Sequence, residues 1–245
     1  MKRAIFAGML LGASAALAAC SDAPRSADKV DPASQATGWT QPPEITGVRR
    51  GPATLIFSGM AEPGARVVLR NDEGAAFAAA ADERGAFEIR MTAPRAHLVL
   101  RPETQVGQDA AVSPDRLLIL ADGPIAVLRA GGPTRRLGDS PALGAVDSDG
   151  RAALASGQAA EGVARVAVAA GSELLQVTPD ATGHWSVVLA GAGAAQSIRV
   201  GSTTFAWPGP GAGTDSLTAE RAGEGWRVAW NGPAGARQWT WLPDV

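Results

Sequence analysis

The sequence has no tyrosine, one cysteine, Cys20, and two histidines, His97 and His184. A lone thiol cannot form an intramolecular disulfide, which excludes a disulfide-stapled fold. The two histidines leave few candidates for a catalytic base, and neither has a second histidine or cysteine at a metal-ligand spacing. The G-x-S-x-G, H-E-x-x-H and phosphate-binding P-loop motifs are absent as well. We therefore expect a protein that is not an enzyme and that needs neither a metal nor another cofactor.

The sequence also lacks a concentration of one charge. Its 22 Lys and Arg residues and 24 Asp and Glu residues give a formal net charge of −2. Beyond Lys2-Arg3, basic residues are adjacent only at Arg49-Arg50 and Arg135-Arg136. Nothing in this distribution predicts nucleic acid as a partner.

The only long apolar run lies at the N-terminus, from Ala4 to Leu17, directly after the positive Lys2-Arg3 pair. As a helix it would reach about 21 Å, short of a bilayer core of about 30 Å. The run therefore predicts the apolar region of a signal peptide rather than a membrane span.

The residues that close this run, Leu17-Ala18-Ala19-Cys20, resemble the lipobox of bacterial lipoproteins. The resemblance implies cleavage between Ala19 and Cys20 and acylation of the Cys20 thiol, with palmitate among the chains. It also implies a membrane as partner through that anchor, because buried acyl chains hold the N-terminus there. The alternative is an ordinary secretory signal peptide in which Cys20 is incidental.

The segment 20–41 is rich in Ser, Ala, Asp, Pro, Gln and Thr and has no apolar period. Such a composition predicts a flexible tether after a signal peptide at 1–19. Ser21, rather than an aspartate, follows the cysteine. By resemblance to enteric lipoprotein sorting, this implies the periplasmic face of the outer membrane.

The remaining chain is rich in turn residues, with 30 Gly and 17 Pro overall, and its short apolar runs predict strands. It also shows an internal repeat at an offset of 98 residues. Gly85 aligns with Gly183, and Phe87 aligns with Trp185. We predict two copies of one unit, at 42–140 and 141–245; chance identity in an Ala- and Gly-rich chain is the alternative.

Within each copy, apolar residues alternate after the turn glycine, so Phe87 and Trp185 are expected to point into the core of their own copy. The motifs SGMAEPGARVVL and DERGAFEIRM, and their weaker second copies, resemble bacterial immunoglobulin-like modules. That resemblance implies an all-β fold of two tandem β-sandwiches, with about seven strands each, and a spacer or binding role.

Some related modules bind calcium through loop carboxylates. The acidic positions closest to such a cluster are Asp72-Glu73, Asp82-Glu83 and Asp147-x-Asp149. Their spacing is too sparse for a calcium loop, and we interpret Asp147 and Asp149 as part of a solvated turn.

Four of the seven tryptophans fall in the last twenty residues: Trp226, Trp230, Trp239 and Trp241. In a hairpin around NGPAGA they form same-face pairs, which suits either a glycan-stacking platform or the core of the second copy. The core is the preferred interpretation.

The function expected from the sequence is that of a membrane-anchored envelope lipoprotein that binds or scaffolds without catalysis. Its partner would be an envelope protein or a glycan. The alternatives are a glycan- or peptidoglycan-binding module that uses the tryptophan hairpin, and a hydrolase with no recognisable local motif.

Overall fold

The computed structural model describes residues 39–190, 194–212, 216–232 and 235–245. The predicted signal peptide at 1–19, Cys20 and the predicted tether up to residue 38 lie outside the described residues. Within the described ranges, no helix is long and apolar enough to cross a membrane.

The fold is all-β, and its sheets are antiparallel, as the sequence predicts. The strands of the first half are β1 (Glu44–Arg50), β2 (Thr54–Met60), β3 (Arg66–Arg70), β4 (Ala76–Ala80), β5 (Ala86–Thr92), β6 (Leu98–Val106), β7 (Asp109–Val112), β8 (Arg116–Ile119), β9 (Ile125–Leu128) and β10 (Arg135–Leu137). Those of the second half are β11 (Ala145–Ser148), β12 (Ala153–Gln158), β13 (Val166–Ala170), β14 (Glu173–Val177), β15 (His184–Leu189), β16 (Gln196–Val200), β17 (Thr203–Trp207), β18 (Thr218–Arg221), β19 (Gly225–Asn231) and β20 (Arg237–Pro243).

The first half is a sandwich of two sheets. The sheet β1-β2-β5 faces the sheet β10-β9-β8-β6-β3-β4, which also carries β7 beside β6. Residues that alternate along facing strands form a common core, among them Phe57, Val67, Phe87, Ile89 and Leu117. The expectation that Phe87 points inward is confirmed, since it is only 3% exposed.

The second half is also a two-sheet sandwich. The sheet β15-β12-β11-β20-β19-β18 faces the sheet β14-β13-β16-β17. Its core contains Trp185, Ile198, Phe205, Trp207 and Trp241. Trp185 is 3% exposed, which confirms the inward orientation predicted for it.

The turns that precede β5 and β15 have the same geometry, 98 residues apart. Gly85 and Gly183 both have a φ of 82°, a conformation that glycine adopts without strain. In each turn the glycine donates its N–H to the carbonyl three residues earlier, that of Asp82 or Asp180. The carboxylates of these aspartates also accept backbone N–H groups of the turn.

A second pair of glycines has the same role in both halves. Gly59 pairs with Phe87 across β2 and β5, and Gly157 pairs with Trp185 across β12 and β15. A Cβ at either glycine would collide with the paired aromatic ring and with a backbone carbonyl. Each ring therefore packs closely against a glycine, and the strand pairing keeps the offset of 98.

The halves differ in how their last three strands attach. β6 is long enough to pair with β7 through Glu103–Val106 and with β8 through Leu98–Leu100. β16 is shorter and pairs with β17 along its whole length, so β18, β19 and β20 join the other sheet through β11. With these additional short strands, each half contains ten strands in the described ranges, more than the seven expected.

Candidate functional site

The two halves share an apolar cluster in addition to their own cores. The first half contributes Leu118, Leu120, Ala126 and Leu128, and the second contributes Ala145, Val228, Trp230 and Leu242. Trp39–Val245 accordingly forms one compact unit, with the predicted boundary at 140/141 inside it. The assignment of two domains at that boundary stays a prediction.

The strands β8 and β9 supply this cluster because both of their faces are buried. Leu117 and Ile125 point into the core of the first half, whereas their neighbours Leu118 and Ala126 point toward the second half. Side chains alternate between the faces of a strand, so a continuous apolar run fills two cores at once.

Polar contacts at the same interface centre on Asp147 in β11. Its carboxylate accepts hydrogen bonds from the Thr134 backbone N–H at 2.7 Å, the Thr134 hydroxyl at 2.7 Å and the Thr240 hydroxyl at 2.6 Å. The Trp230 indole N–H donates to Thr240 at 3.1 Å, and the Ser156 hydroxyl donates to the Thr134 carbonyl at 3.1 Å. This network links Thr134, directly before β10 of the first half, to four strands of the second half, β11, β12, β19 and β20.

Burial raises the pKa of Asp147, although the three hydrogen bonds act in the opposite direction. The residue retains some surface, but protein atoms enclose its carboxylate. In the described part of the chain, no basic side chain forms an ion pair with it. The charge is therefore held by neutral donors alone.

A cleft of about 490 Å³ opens beside this network, between the two halves. Its lining residues are Glu44, Arg129, Pro133, Thr134, Arg135, Arg136, Ser140, Gly144, Ser156, Gly157, Gln158, Thr178, Asp180, Thr182, His184, Trp185 and Ser186. This volume lies within the range of small-molecule sites, and the lining is rich in hydrogen-bonding groups.

Three arginines from the first half form one side of the cleft. Arg135 pairs with Glu44 at 3.1 Å and also donates to the Ile45 carbonyl. Arg136 donates to the carbonyls of Asp139 and Pro243, and burial lowers its pKa to about 10. Arg129 is the most exposed of the three, and its Nε lies 3.8 Å from Asp115. With a pKa of about 10, the Arg136 guanidinium stays charged at neutral pH.

The second half supplies neutral polar side chains to the other side. Ser156 pairs with Ser186, and Gln158 with His184, across β12 and β15. Paired residues share one face of a sheet, so these four side chains lie together on the face opposite the Trp185 ring. His184 Nδ1 lies 3.0 Å from the Thr182 hydroxyl, and Gln158 donates to the Thr182 carbonyl at 2.8 Å.

The two carboxylates of the cleft are already engaged. Glu44 is paired with Arg135. Asp180 accepts from the Thr182 hydroxyl at 2.6 Å and from two backbone N–H groups of its turn. The hydrogen bonds, that of the Thr182 side chain first, lower the pKa of Asp180. A carboxylate held in this way is a poor general acid at neutral pH.

The predicted tryptophan hairpin exists as β19 and β20, but its four indoles divide between two faces. Trp226 and Trp230 face the first half, whereas Trp239 and Trp241 lie on the opposite face. Trp230 is 3% exposed and Trp241 is 1% exposed. Trp241 lies in the core of the second half, as the core interpretation predicts, whereas Trp230 lies in the cluster shared by the two halves. Both rings are inaccessible to a sugar in this structure.

Trp226 and Trp239 retain partial exposure. Trp226 meets His97 edge to face at a centroid distance of 4.9 Å, and the Arg221 guanidinium lies 5.2 Å from its ring centroid. His97 Nδ1 accepts the backbone N–H of Ala121 at 3.1 Å within the first half, and the contact of its ring with Trp226 places this histidine between the halves.

The solvated-turn interpretation is correct for Asp149 and wrong for Asp147. Asp149 is exposed and accepts the backbone N–H groups of Arg151 and Ala152. Asp147 lies two residues earlier, within β11 and in register with Thr240, and this pairing turns its carboxylate into the interface. Among the described residues, no group of three or more His, Cys, Asp or Glu side chains is placed to hold a metal ion.

Sequence reasoning missed the three arginines and the Thr134–Asp147–Thr240 network. The Arg135-Arg136 pair was visible, but its position at a contact between two halves depends on how those halves pack. The repeat did contain a signal for the second-half side of the cleft. At the offset of 98, Gln158, His184 and Ser186 align with Met60, Ala86 and Glu88, so the second copy differs at these positions.

Comparison with protein-family models and with curated proteins finds no match for this chain.

Proposed function

We propose that this chain is a lipid-anchored lipoprotein of the bacterial envelope that binds a ligand in the cleft between its two halves without catalysing a reaction. The cleft, enclosed by two halves that share one apolar cluster, is the observation that carries the binding role. The sequence Leu17–Cys20 supports the anchor. Its sorting residue, Ser21, favours the periplasmic face of the outer membrane.

The interface between the halves favours a binding site that is already formed before the ligand enters. The shared cluster and the Asp147 network both cross it, so the two walls of the cleft need little reorganisation when a ligand enters. The segment from Cys20 to β1 would reach about 80 Å if fully extended, at about 3.4 Å per residue. The binding cleft would then operate at a distance from the bilayer.

A binding role fits the cleft better than hydrolysis does. A hydrolase of the kind considered from the sequence requires a groove with a pair of carboxylates that can act as acid and base. Glu44 and Asp180 are present, but Glu44 forms an ion pair with Arg135, and Asp180 accepts hydrogen bonds from residues of the turn before β15. The burial of Trp230 and Trp241 likewise moves the preferred ligand site from the hairpin to the cleft.

The anchor is tested by replacing the acylated thiol in the full-length chain. In a bacterial host that processes lipoproteins, Cys20→Ser should abolish acylation and shift the protein from the membrane fraction to the soluble fraction, or leave an unprocessed precursor. Mass spectrometry of the wild-type protein should show acyl chains on an N-terminal Cys20.

Ser26→Ala provides the matched control, because it alters a side chain in the same polar segment without touching the lipobox. It should leave both processing and fractionation unchanged. Wild-type protein that is cleaved elsewhere and carries a free thiol would contradict the proposed anchor.

A further inference from the structure

We propose that the cleft between the halves binds an acidic sugar, with the carboxylate or phosphate on the arginine side and the sugar hydroxyls on the Ser156–Ser186 side. This inference rests on the proposed function, because it assumes that the cleft is the ligand site. It adds the chemical class of the ligand.

The arginine side offers cationic donors that the protein itself leaves partly unused. Arg136 Nη2 and both terminal nitrogens of Arg129 have no hydrogen-bond partner within the described ranges. Arg136 forms no ion pair there either, although burial removes much of its hydration, as its lowered pKa indicates. A desolvated guanidinium gains most from an anionic acceptor, and its planar shape matches a carboxylate or phosphate.

The cleft has little negative charge available to repel such a ligand. Glu44 is neutralised by Arg135, and Asp180 is held by donors of its own turn. Arg129 lies 3.8 Å from Asp115, which is outside the cleft lining, whereas Arg136 forms no ion pair in the described ranges. The Arg136 guanidinium is therefore the cation of the lining that gains most from an anionic ligand. An anion in this position would also complete the hydrogen bonding of the two arginines.

The opposite side has the chemistry that recognises hydroxyl groups. Ser186 is exposed, His184 keeps Nε2 free of any partner in the described structure, and Gln158 uses only its amide nitrogen. Hydroxyl, imidazole and amide groups each donate and accept, as the hydroxyls of a sugar do. A cleft of about 490 Å³ has room for a sugar with an acidic substituent.

The internal repeat shows that this side is a specialised version of the common sheet. In the first half the same register positions on β2 and β5 hold Ser58 opposite Glu88, and Met60 opposite Ala86. Glu88 there forms an exposed ion pair with Arg49 at 2.6 Å. The second half folds with the same register but places Ser186, Gln158 and His184 at the equivalent positions. The strand register does not require these three side chains. Gln158 and His184 each use one atom on Thr182, which leaves Gln158 Oε1, His184 Nε2 and the Ser186 hydroxyl for a ligand.

Titration calorimetry on the full-length chain, in a detergent without a sugar headgroup, tests the ligand class. The probes are glucuronate and glucose 6-phosphate, with neutral glucose and inorganic phosphate as references. We expect both acidic sugars to bind at least tenfold more tightly than either reference. Their affinity should fall as salt is raised, because the arginine contact is ionic.

Two variants place the ligand in the cleft. Arg129→Gln removes one exposed guanidinium and should weaken glucuronate binding about tenfold, the effect of one charge-assisted hydrogen bond. Ser186→Glu introduces the residue of the first half and should weaken binding by more than tenfold, because it adds a negative charge to the cleft. The matched reverse change, Glu88→Ser in the first half, should leave affinity unchanged.

Glucose that binds as tightly as glucuronate would overturn the acidic class, while loss of that binding in Ser186→Glu would still support a cleft site. Inorganic phosphate that binds as tightly as glucose 6-phosphate would overturn the sugar part. Absence of binding by every probe, or equal losses in Ser186→Glu and Glu88→Ser, would overturn the proposal. The Cys20→Ser fractionation is independent of all these outcomes, so failure of the anchor is recognised separately.

Discussion

Phe87→Ala should destabilise both halves of the molecule, although the ring lies in the core of the first. Phe87 is 3% exposed and packs over Gly59, where its removal leaves a cavity. Truncation of a buried phenylalanine costs about 3–5 kcal/mol. With a urea dependence of about 2–3 kcal/mol per molar, the unfolding midpoint should fall by about 1–2.5 M.

Tryptophan fluorescence makes this variant a test of whether the two halves unfold together. All of them except Trp39 lie in the second half, so fluorescence of a Trp39→Phe background reports the unfolding of that half. Leu118, Leu120, Ala126 and Leu128 bury their side chains against the second half, and Thr134 bonds to its Asp147. We therefore expect the fluorescence midpoint to fall together with the circular dichroism midpoint. An unchanged fluorescence midpoint, with a biphasic dichroism curve, would refute the coupling.

The remaining predictions concern the glycines under the aromatic rings and the buried carboxylate. Gly157→Ala should destabilise the protein by about 1–3 kcal/mol, because the new Cβ collides with Trp185 and the Ala142 carbonyl. Gly51→Ala is the matched control, since the atom nearest to its Cβ is 3.6 Å away. Equal unfolding midpoints of the two variants in urea would contradict this packing. Asp147→Asn should change the pH dependence of stability. The raised pKa means that the folded state binds a proton more readily than the unfolded state. The free energy of unfolding that Asp147 contributes is therefore largest at a pH below the ordinary pKa of aspartate, and it is lost as the pH rises through the folded pKa. Relative to Asp147→Asn, the wild type should therefore lose stability with rising pH across that window, and parallel profiles would contradict the raised pKa.

The sequence was sufficient for the parts of the fold that depend on local pattern. Alternation placed Phe87, Ile89 and Met91 on one buried face, and the turn glycines Gly85 and Gly183 marked equivalent strand starts. The short apolar runs Leu117–Leu120 and Ile125–Leu128 also coincide with strands, β8 (Arg116–Ile119) and β9 (Ile125–Leu128). These features follow from side-chain periodicity and turn chemistry, which operate over a few residues.

The contact between the halves was not visible in the same way. A buried strand with apolar residues on both faces, such as β9, looks identical whether its second face meets another sheet or another half. The position of Asp147 could not be predicted either, because an Asp-x-Asp pair in the sequence does not show that one of its carboxylates points inward. The cleft depends on the register between β11 and β20 and on β10 lying beside β12, neither of which local pattern specifies.

Hydrogen exchange with and without glucuronate tests the central claim, that the ligand binds between the two halves, most directly. Glucuronate should slow amide exchange in the turn and strand 180–186 and in β10, while the equivalent turn 82–88 of the first half stays unchanged. Protection confined to the tryptophan hairpin β19–β20, or equal protection of the two equivalent turns, would contradict the claim.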